Sequence, residues 1–368
     1  MKVLAIRGCF LAITLLTSCS KPEPLLLGFV GGLSGRVADL GIAGRNGAML
    51  AIEQKNAAGG INGRTIKLVV KNDEQSPETA KQVTAELIGQ RVEAIIGPMT
   101  SSIAMAMMPL VNASGTVLIS PTATTTELAG KDDNFIRVIS TTTDYASKSA
   151  HYQYEKLGRR TAAVIYDKNN SSYTESWLYD FQRTFTGLGG RIKLVRTFSS
   201  GENAVFLGAV KELLTVKPDL VLIISNAFDA AMICQQIRKI DSRIPVVMSE
   251  WGSTEHFVEL AGVAAEGVHV AQFLDRSDTS SRYEAFLGAY RKRFAHDPGF
   301  AGIAGYDAAL VAIESMAKRR PGQSLKEAIL AIGSFHCVQQ IINIDRFGEA
   351  NRKTFITYVK NGKYMTLE

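Results

Sequence analysis

Two clusters of hydroxyl side chains, Thr100-Ser101-Ser102 and Thr122-Ala123-Thr124, each follow a short apolar run in this chain. The first run covers residues 92–96 and is followed by Gly97-Pro98; the second covers residues 117–119 and leads through Ser120-Pro121. A stretch rich in Met and Ala lies between them and has helical character. Two parallel strands joined by a helix place both C-terminal ends at one edge of a sheet. The two clusters therefore face a single crevice, the place where open α/β sheets bind ligands. Ser101 also precedes a helix, whose free N–H groups and positive dipole end favour a carboxylate. Residues 92–128 read as a cradle for a small anion, with Ser101, Ser102, Thr122 and Thr124 as its candidate polar groups.

Other chemistries fit less well. The segment GFVGGLSG at residues 28–35 lacks the glycine spacing and the later acid of a dinucleotide fingerprint, and reads as a tight turn after a strand. No phosphate-binding loop of the G-x-x-x-x-G-K-[ST] type is present. The five histidines, His151, His256, His269, His296 and His336, are not paired at metal-binding helical spacing, so neither a metal nor a cofactor is expected. A serine nucleophile would want a G-x-S-x-G elbow, which is missing; no residue is assigned as catalytic, although Ser101 with a distant histidine leaves an amidase-like hydrolase open. Met99, Met105, Met107 and Met108 read as helix packing. The formal charge of +6 is spread through basic residues interleaved with acids, without the concentrated stripe of a nucleic-acid footprint.

The elements that must position the hydroxyls follow a regular rhythm. Apolar runs of strand length alternate with helical stretches from residue 25 to about 139 and again from 144 to 272. Strands alternating with helices argue for parallel sheets covered on both faces. At 368 residues, 46% of them apolar, the chain suits two lobes. Three helices are expected at about 281–296, 301–319 and 324–332, then antiparallel strands around 341–344, 354–359 and 364–367. Beyond the leader, no stretch reads as transmembrane.

The amino terminus has its own logic. Lys2 and Arg7 precede an apolar run from Cys9 to Leu16, the pattern of a secretory signal and too short for a permanent membrane span. Leu16-Thr17-Ser18-Cys19 resembles the bacterial lipobox, in which the cysteine is acylated and becomes the mature terminus. The expectation is a signal peptide over 1–18, a lipid-anchored Cys19 with a tether over 19–24, and a place in the bacterial envelope outside the cytoplasm. Cys234 and Cys337 sit in apolar surroundings and read as buried free thiols, with a disulfide between them left open.

Taken together, AIIGP followed by Ser101-Ser102, ISPTATTTEL, NAFDAAMICQQIRK and AGYDAALVAI resemble the leucine/isoleucine/valine-binding proteins of periplasmic binding protein fold type I. The likeness runs from Leu25 to the C-terminus. It implies two doubly wound α/β lobes joined by three hinge crossings, near residues 138–141, 270–273 and 341–344. The first lobe is then 25–139 with 273–341, the second 140–272 with 342–368. It also implies closure on an amino acid or similar small carboxylate and delivery to an ABC transporter permease, a sensory module of the same fold being the alternative. Carried over by position, Ser101 and Thr124 match hydroxyls that hold the α-carboxylate and α-ammonium, and Thr122 acts through its carbonyl. Tyr173 matches the capping aromatic, and Leu40 lines the side-chain pocket. Two positions depart: a second tyrosine is Asn226 here, and the ammonium-binding glutamate is Trp251, with Glu250 beside it. Trp251 implies a flatter or more apolar ligand, aromatic or lacking an amine, unless it only packs at a strand end; Glu250 or Asp229 are the alternative ammonium partners. The family's first-lobe disulfide is replaced by Gln75 and Thr100.

Overall fold

The computed structural model describes residues 22–368. The expected signal peptide and Cys19 lie outside the described residues. The first βα series consists of β1 (Leu25–Gly31), α1 (Ala38–Ala57), β2 (Ile66–Asn72), α2 (Pro77–Gly89), β3 (Ala94–Ile96), α3 (Ser101–Ser114), β4 (Val117–Ser120) and β5 (Phe135–Arg137). The second consists of α4 (Thr142–His151), β6 (Thr161–Asp167), α5 (Ser171–Gly187), β7 (Arg191–Phe198), α6 (Leu207–Thr215), β8 (Leu220–Ile224), α7 (Ala227–Ile240), β9 (Val246–Met248), α8 (Glu255–Ala261) and β10 (His269–Gln272). After α9 (Ser281–Phe294), α10 (Gly299–Lys318) and α11 (Leu325–Ile332) come β11 (Ser334–His336), β12 (Ile341–Ile344), β13 (Ala350–Asn351), β14 (Phe355–Lys360) and β15 (Lys363–Thr366).

The two series make two sheets of matching order. The first is β2-β1-β3-β4-β5, parallel throughout. The second repeats that order as β7-β6-β8-β9-β10, then adds β14 and β15 antiparallel on its far edge. In each, strand order reverses beside the first strand of the series, so the loops after β1, β3, β6 and β8 open at switch points. Strands β3 and β8 are buried along their whole length, as central parallel strands covered on both faces must be. Helix α10 is long and apolar enough to cross a membrane, contrary to the sequence expectation, but 78% of its most apolar stretch is buried. Its apolarity is that of a core helix: it packs on α1 so closely that a Cβ on Gly47 would lie 1.9 Å from the Gly302 carbonyl oxygen.

The third crossing is displaced from its expected place. Strand β12 pairs with β11 and β13 in a separate small sheet, and the Gly348 carbonyl accepts a hydrogen bond from Arg137 of β5 at 2.9 Å. The chain thus stays with the first lobe through Asn351 and passes over at residues 352–354, not 341–344. The sequence pattern hides this because β12 alternates buried and exposed residues as a half-buried strand of either lobe would. The crossings are bound together. Arg352 N donates to Ser140 Oγ at 2.9 Å, and the Arg352 guanidinium lies 4.1 Å from the Phe273 ring centre while pairing with buried Asp307.

Candidate functional site

The chain leaves β3 through Gly97, whose φ of 115° and close approach to β1 only glycine allows; a Cβ there would lie 2.0 Å from the Val30 carbonyl oxygen. This turn delivers Thr100 and Ser101 to the start of α3. Ser101 Oγ accepts from the backbone N–H groups of Thr124 (3.2 Å) and Thr125 (3.3 Å), so it also shapes the loop after β4. The hydroxyl proton remains available to donate. Thr122 spends its hydroxyl on the Met99 carbonyl at 2.6 Å. Thr124 Oγ1 is buried without a hydrogen-bond partner among the described residues. Where the resemblance expects a disulfide, Thr100 Oγ1 donates instead to Gln75 Oε1 at 3.1 Å.

The second lobe answers from the ends of β6 and β9 and from α5. Glu250 is buried, and its Oε2 accepts from the Trp177 indole N–H at 2.8 Å while Oε1 has no partner. Burial pushes its carboxyl up to about 7, against the pull of its own backbone N–H, the Trp177 N–H and the nearby Tyr173 hydroxyl. The Trp251 ring meets Tyr173 edge-on with centroids 5.6 Å apart, and its Nε1 is also unpartnered.

Ser101, Thr122 and Leu40 from the first lobe and Tyr173, Glu250 and Trp251 from the second line one inner cavity, which has about 10 Å³ open to the centre of a water. That is room for about one water molecule. A wider space of about 470 Å³, also bounded by Trp251, lies at the mouth of the cleft. Three expected residues are not among the inner lining. Ser102 instead joins the lobes: its N–H donates to Asn170 Oδ1 at 3.0 Å and its Oγ accepts from Ser172 N at 3.2 Å. Thr124 lies behind Ser101, its carbonyl accepting from Thr142 N at 2.8 Å. Asn226 caps α7 through Asp229 N at 3.0 Å and donates to Asp229 Oδ2 at 2.7 Å. Asp229 is not free to meet an ammonium group, because its carboxylate also takes Arg36 from the opposite lobe and Ser200.

Met99, Ile139, Asn170 and Phe300 also line the inner cavity and were not expected there. Met99 read as packing, a reading that Met107 and Met108 do satisfy. Phe300 comes from the start of α10, far away in sequence, and no local pattern marks it. The lobes meet around the cavity at three further places. Arg36, over the Phe228 ring at 4.4 Å, pairs with Asp229; Thr254 donates to Asp39 at 2.6 Å; and Thr126 and Ser176 hydroxyls lie 3.0 Å apart. Burial raises the Asp39 carboxyl above its ordinary value, opposed by the Thr254 bond. Cys234 and Cys337 are both buried and free, one in each lobe.

Two α/β lobes with a shared cavity between their switch points define a clamshell receptor for small molecules. A family model described as periplasmic binding protein matches residues 24–363. The chain belongs to that family and is an extracytoplasmic solute-binding protein, not an enzyme. Among its relatives is the leucine-, isoleucine-, valine-, threonine- and alanine-binding protein of Pseudomonas aeruginosa, 22% identical over 338 residues, which cover 91% of this chain and 90% of that one. Among solved structures it is similar to the branched-chain amino acid transporter substrate-binding protein of Streptococcus pneumoniae in complex with isoleucine, with 25% identity and a TM-score of 0.86 over 94% of this chain and 99% of that one. The same fold, at 22% identity and a TM-score of 0.82 over 94% of this chain and 95% of the other, occurs in a solute-binding protein of an R. palustris ABC transporter in complex with benzoate.

Proposed function

We propose that this chain is a receptor, lipid-anchored through Cys19, that closes on an α-amino acid with an apolar side chain and hands it to the permease of an ABC importer. The observation that carries this reading is Glu250: a wholly buried carboxyl with one oxygen unpartnered, lining the same cavity as Ser101. A buried carboxylate is costly unless a donor or cation meets it, and an α-ammonium group is such a cation. Ser101 then donates to the ligand's carboxylate, and the positive end of the α3 dipole adds to the attraction. Leu40, Met99, Phe300 and Trp251 surround the side chain. A relative whose name gives leucine, isoleucine and valine supports the assignment, and the similar solute-binding protein of an ABC transporter supports the permease as partner. The position of the acid departs from the family's by one residue, since Trp251 stands where the glutamate is expected.

One observation favours a second ligand class. With its carboxyl held near neutrality, a protonated Glu250 can donate to a ligand oxygen, which would suit an amine-free acid against the Trp251 ring. Thermal unfolding with leucine, isoleucine, valine, phenylalanine and benzoate separates the two readings, because a ligand of the folded state alone raises apparent stability by about 2.7 kcal/mol at a hundredfold excess over Kd. The expected result is a shift with aliphatic amino acids that Glu250→Gln abolishes. A shift with benzoate alone that survives Glu250→Gln would overturn the amino-acid reading.

A further inference from the structure

The chain enters the first lobe at Leu25 beside a basin of about 480 Å³ that takes no part in the cleft. Two tight turns build its rim. In one, Asn62 and Gly63 take φ values of 50° and 77°, and Ile61 and Arg64 exchange both backbone hydrogen bonds at 2.9 Å. This is the geometry that Asn-Gly favours in a hairpin, and it fixes Arg64 in place. In the other, Pro321-Gly322 lies between Arg320 and Gln323, with Gly322 at φ 79° and Gln323 N donating to the Arg320 carbonyl at 3.1 Å. Proline then glycine at these positions is the pattern of a type II turn. The Gln323 side chain accepts from Arg320 N at 3.1 Å and stiffens it further.

Arg64, Arg319 and Arg320 line the basin, and no carboxylate does. Arg319 pairs with Glu93 at 3.0 Å, whereas no carboxylate among the described residues pairs with Arg64 or Arg320. A cation just past α10 complements the helix dipole, which accounts for one arginine but not for three converging from separate segments. The floor is apolar, formed by Leu25, Ile61 and Met316. The basin also lies beside the incoming chain: Arg64 Nε donates to the Glu23 carbonyl at 2.9 Å. From Pro22 back to Cys19 an extended chain covers at most about 10 Å. A lipid on Cys19 would hold this rim within one or two Debye lengths of the membrane surface, about 8 Å each at physiological salt.

We propose that this basin binds the headgroup of an anionic phospholipid and sets the base of the first lobe against the membrane that holds the anchor. Arginine forks meet phosphate oxygens, and the apolar floor receives the glycerol carbons. The membrane-facing part rests on acylation of Cys19; the basin itself does not. The purified full chain is titrated by calorimetry with dihexanoyl phosphatidylglycerol below its micelle concentration, and in parallel with dihexanoyl phosphatidylcholine and inorganic phosphate. Binding is expected for phosphatidylglycerol alone, and it should weaken by about tenfold or more in the Arg64→Gln, Arg319→Gln, Arg320→Gln triple variant, with amino-acid binding unchanged. Phosphate binding as tightly as the lipid would reassign the basin to a free anion and overturn the proposal. So would an absence of binding, or binding that the triple variant retains. A mass for the amino terminus without a lipid on Cys19 would overturn the membrane-facing part whatever the titration gives.

Discussion

At the rim of the cleft, charged and polar groups that face the opposite lobe find protein partners there: Arg36 meets Asp229, Asp39 meets Thr254, and Ser102 meets Asn170 and Ser172. In the interior the same kinds of group are left over. Glu250 Oε1 and Trp251 Nε1 are buried without hydrogen-bond partners among the described residues. Folded proteins pair the great majority of such groups, and on the proposed reading a ligand supplies the missing partners of these two. The rim and the interior therefore divide the work. On that reading, rim pairs hold the lobes together whatever is bound, and the interior gains its missing bonds only when the right molecule is present.

The largest effect belongs to the interior and to pH. Burial holds Glu250 near 7 against an ordinary value of 4.5. An α-ammonium group needs the carboxylate, so affinity for an amino acid is expected to rise about tenfold per unit from pH 5 to about 7 and then level off. Stability without ligand should move the other way. Between 4.5 and about 7 the unfolded chain has released this proton and the folded chain has kept it. Stability is then greatest below that window and falls as pH rises through it. Calorimetric titrations from pH 5 to 8, with urea unfolding at the same values, check both slopes. An affinity that rises toward low pH would assign Glu250 as a proton donor to an amine-free acid.

Ser101→Ala comes next, because Ser101 works on both sides of the division. Its proton is available to a ligand carboxylate, while its oxygen already accepts from Thr124 and Thr125 in the loop after β4. A charge-assisted hydrogen bond is worth about 1.5–3 kcal/mol, so Kd should rise by roughly tenfold to a hundredfold. The two freed backbone N–H groups should also lower Tm slightly. A fall in Tm with affinity intact would confine Ser101 to the loop and take it out of the ligand's reach.

What could be read from the sequence followed from periodicity and from sheet geometry. Alternating strands and helices gave both series of elements, and parallel pairing forces the ends of β3 and β4 to one edge, which brings Ser101 and Thr122 into one cavity. Side-chain direction was not readable in the same way. Asn226, Glu250 and Trp251 all follow strand ends, yet Asn226 turns into a helix cap while Glu250 and Trp251 turn into the cavity. Ser102 and Thr124 sit in the two hydroxyl clusters, but Ser102 spends its polar groups on the opposite lobe and Thr124 lies behind Ser101. Contacts between distant segments were the least legible. Phe300 reaches the cavity from α10, and Arg36 and Asp229 are 193 residues apart, so nothing local in the sequence pairs them.

The Arg36–Asp229 pair gives the smallest effect and tests the comparison most directly. Asp229 is fully buried and is also held by Asn226 and Ser200, so removing Arg36 leaves its charge hydrogen-bonded but unneutralised in the closed form. When the lobes part, water can reach both groups, and the cost therefore falls on closure rather than on folding. Apparent Kd varies inversely with the fraction of molecules able to close, so Arg36→Gln should weaken binding by about three- to tenfold through faster dissociation, with Tm in the absence of ligand nearly unchanged. Adding Asp229→Asn removes the stranded charge and should restore most of the loss, a coupling that a double-mutant cycle measures. If Arg36→Gln cost as much as Ser101→Ala, the rim would be as decisive for binding as the interior. The clamshell would then owe its grip to its own closure more than to the ligand's bonds.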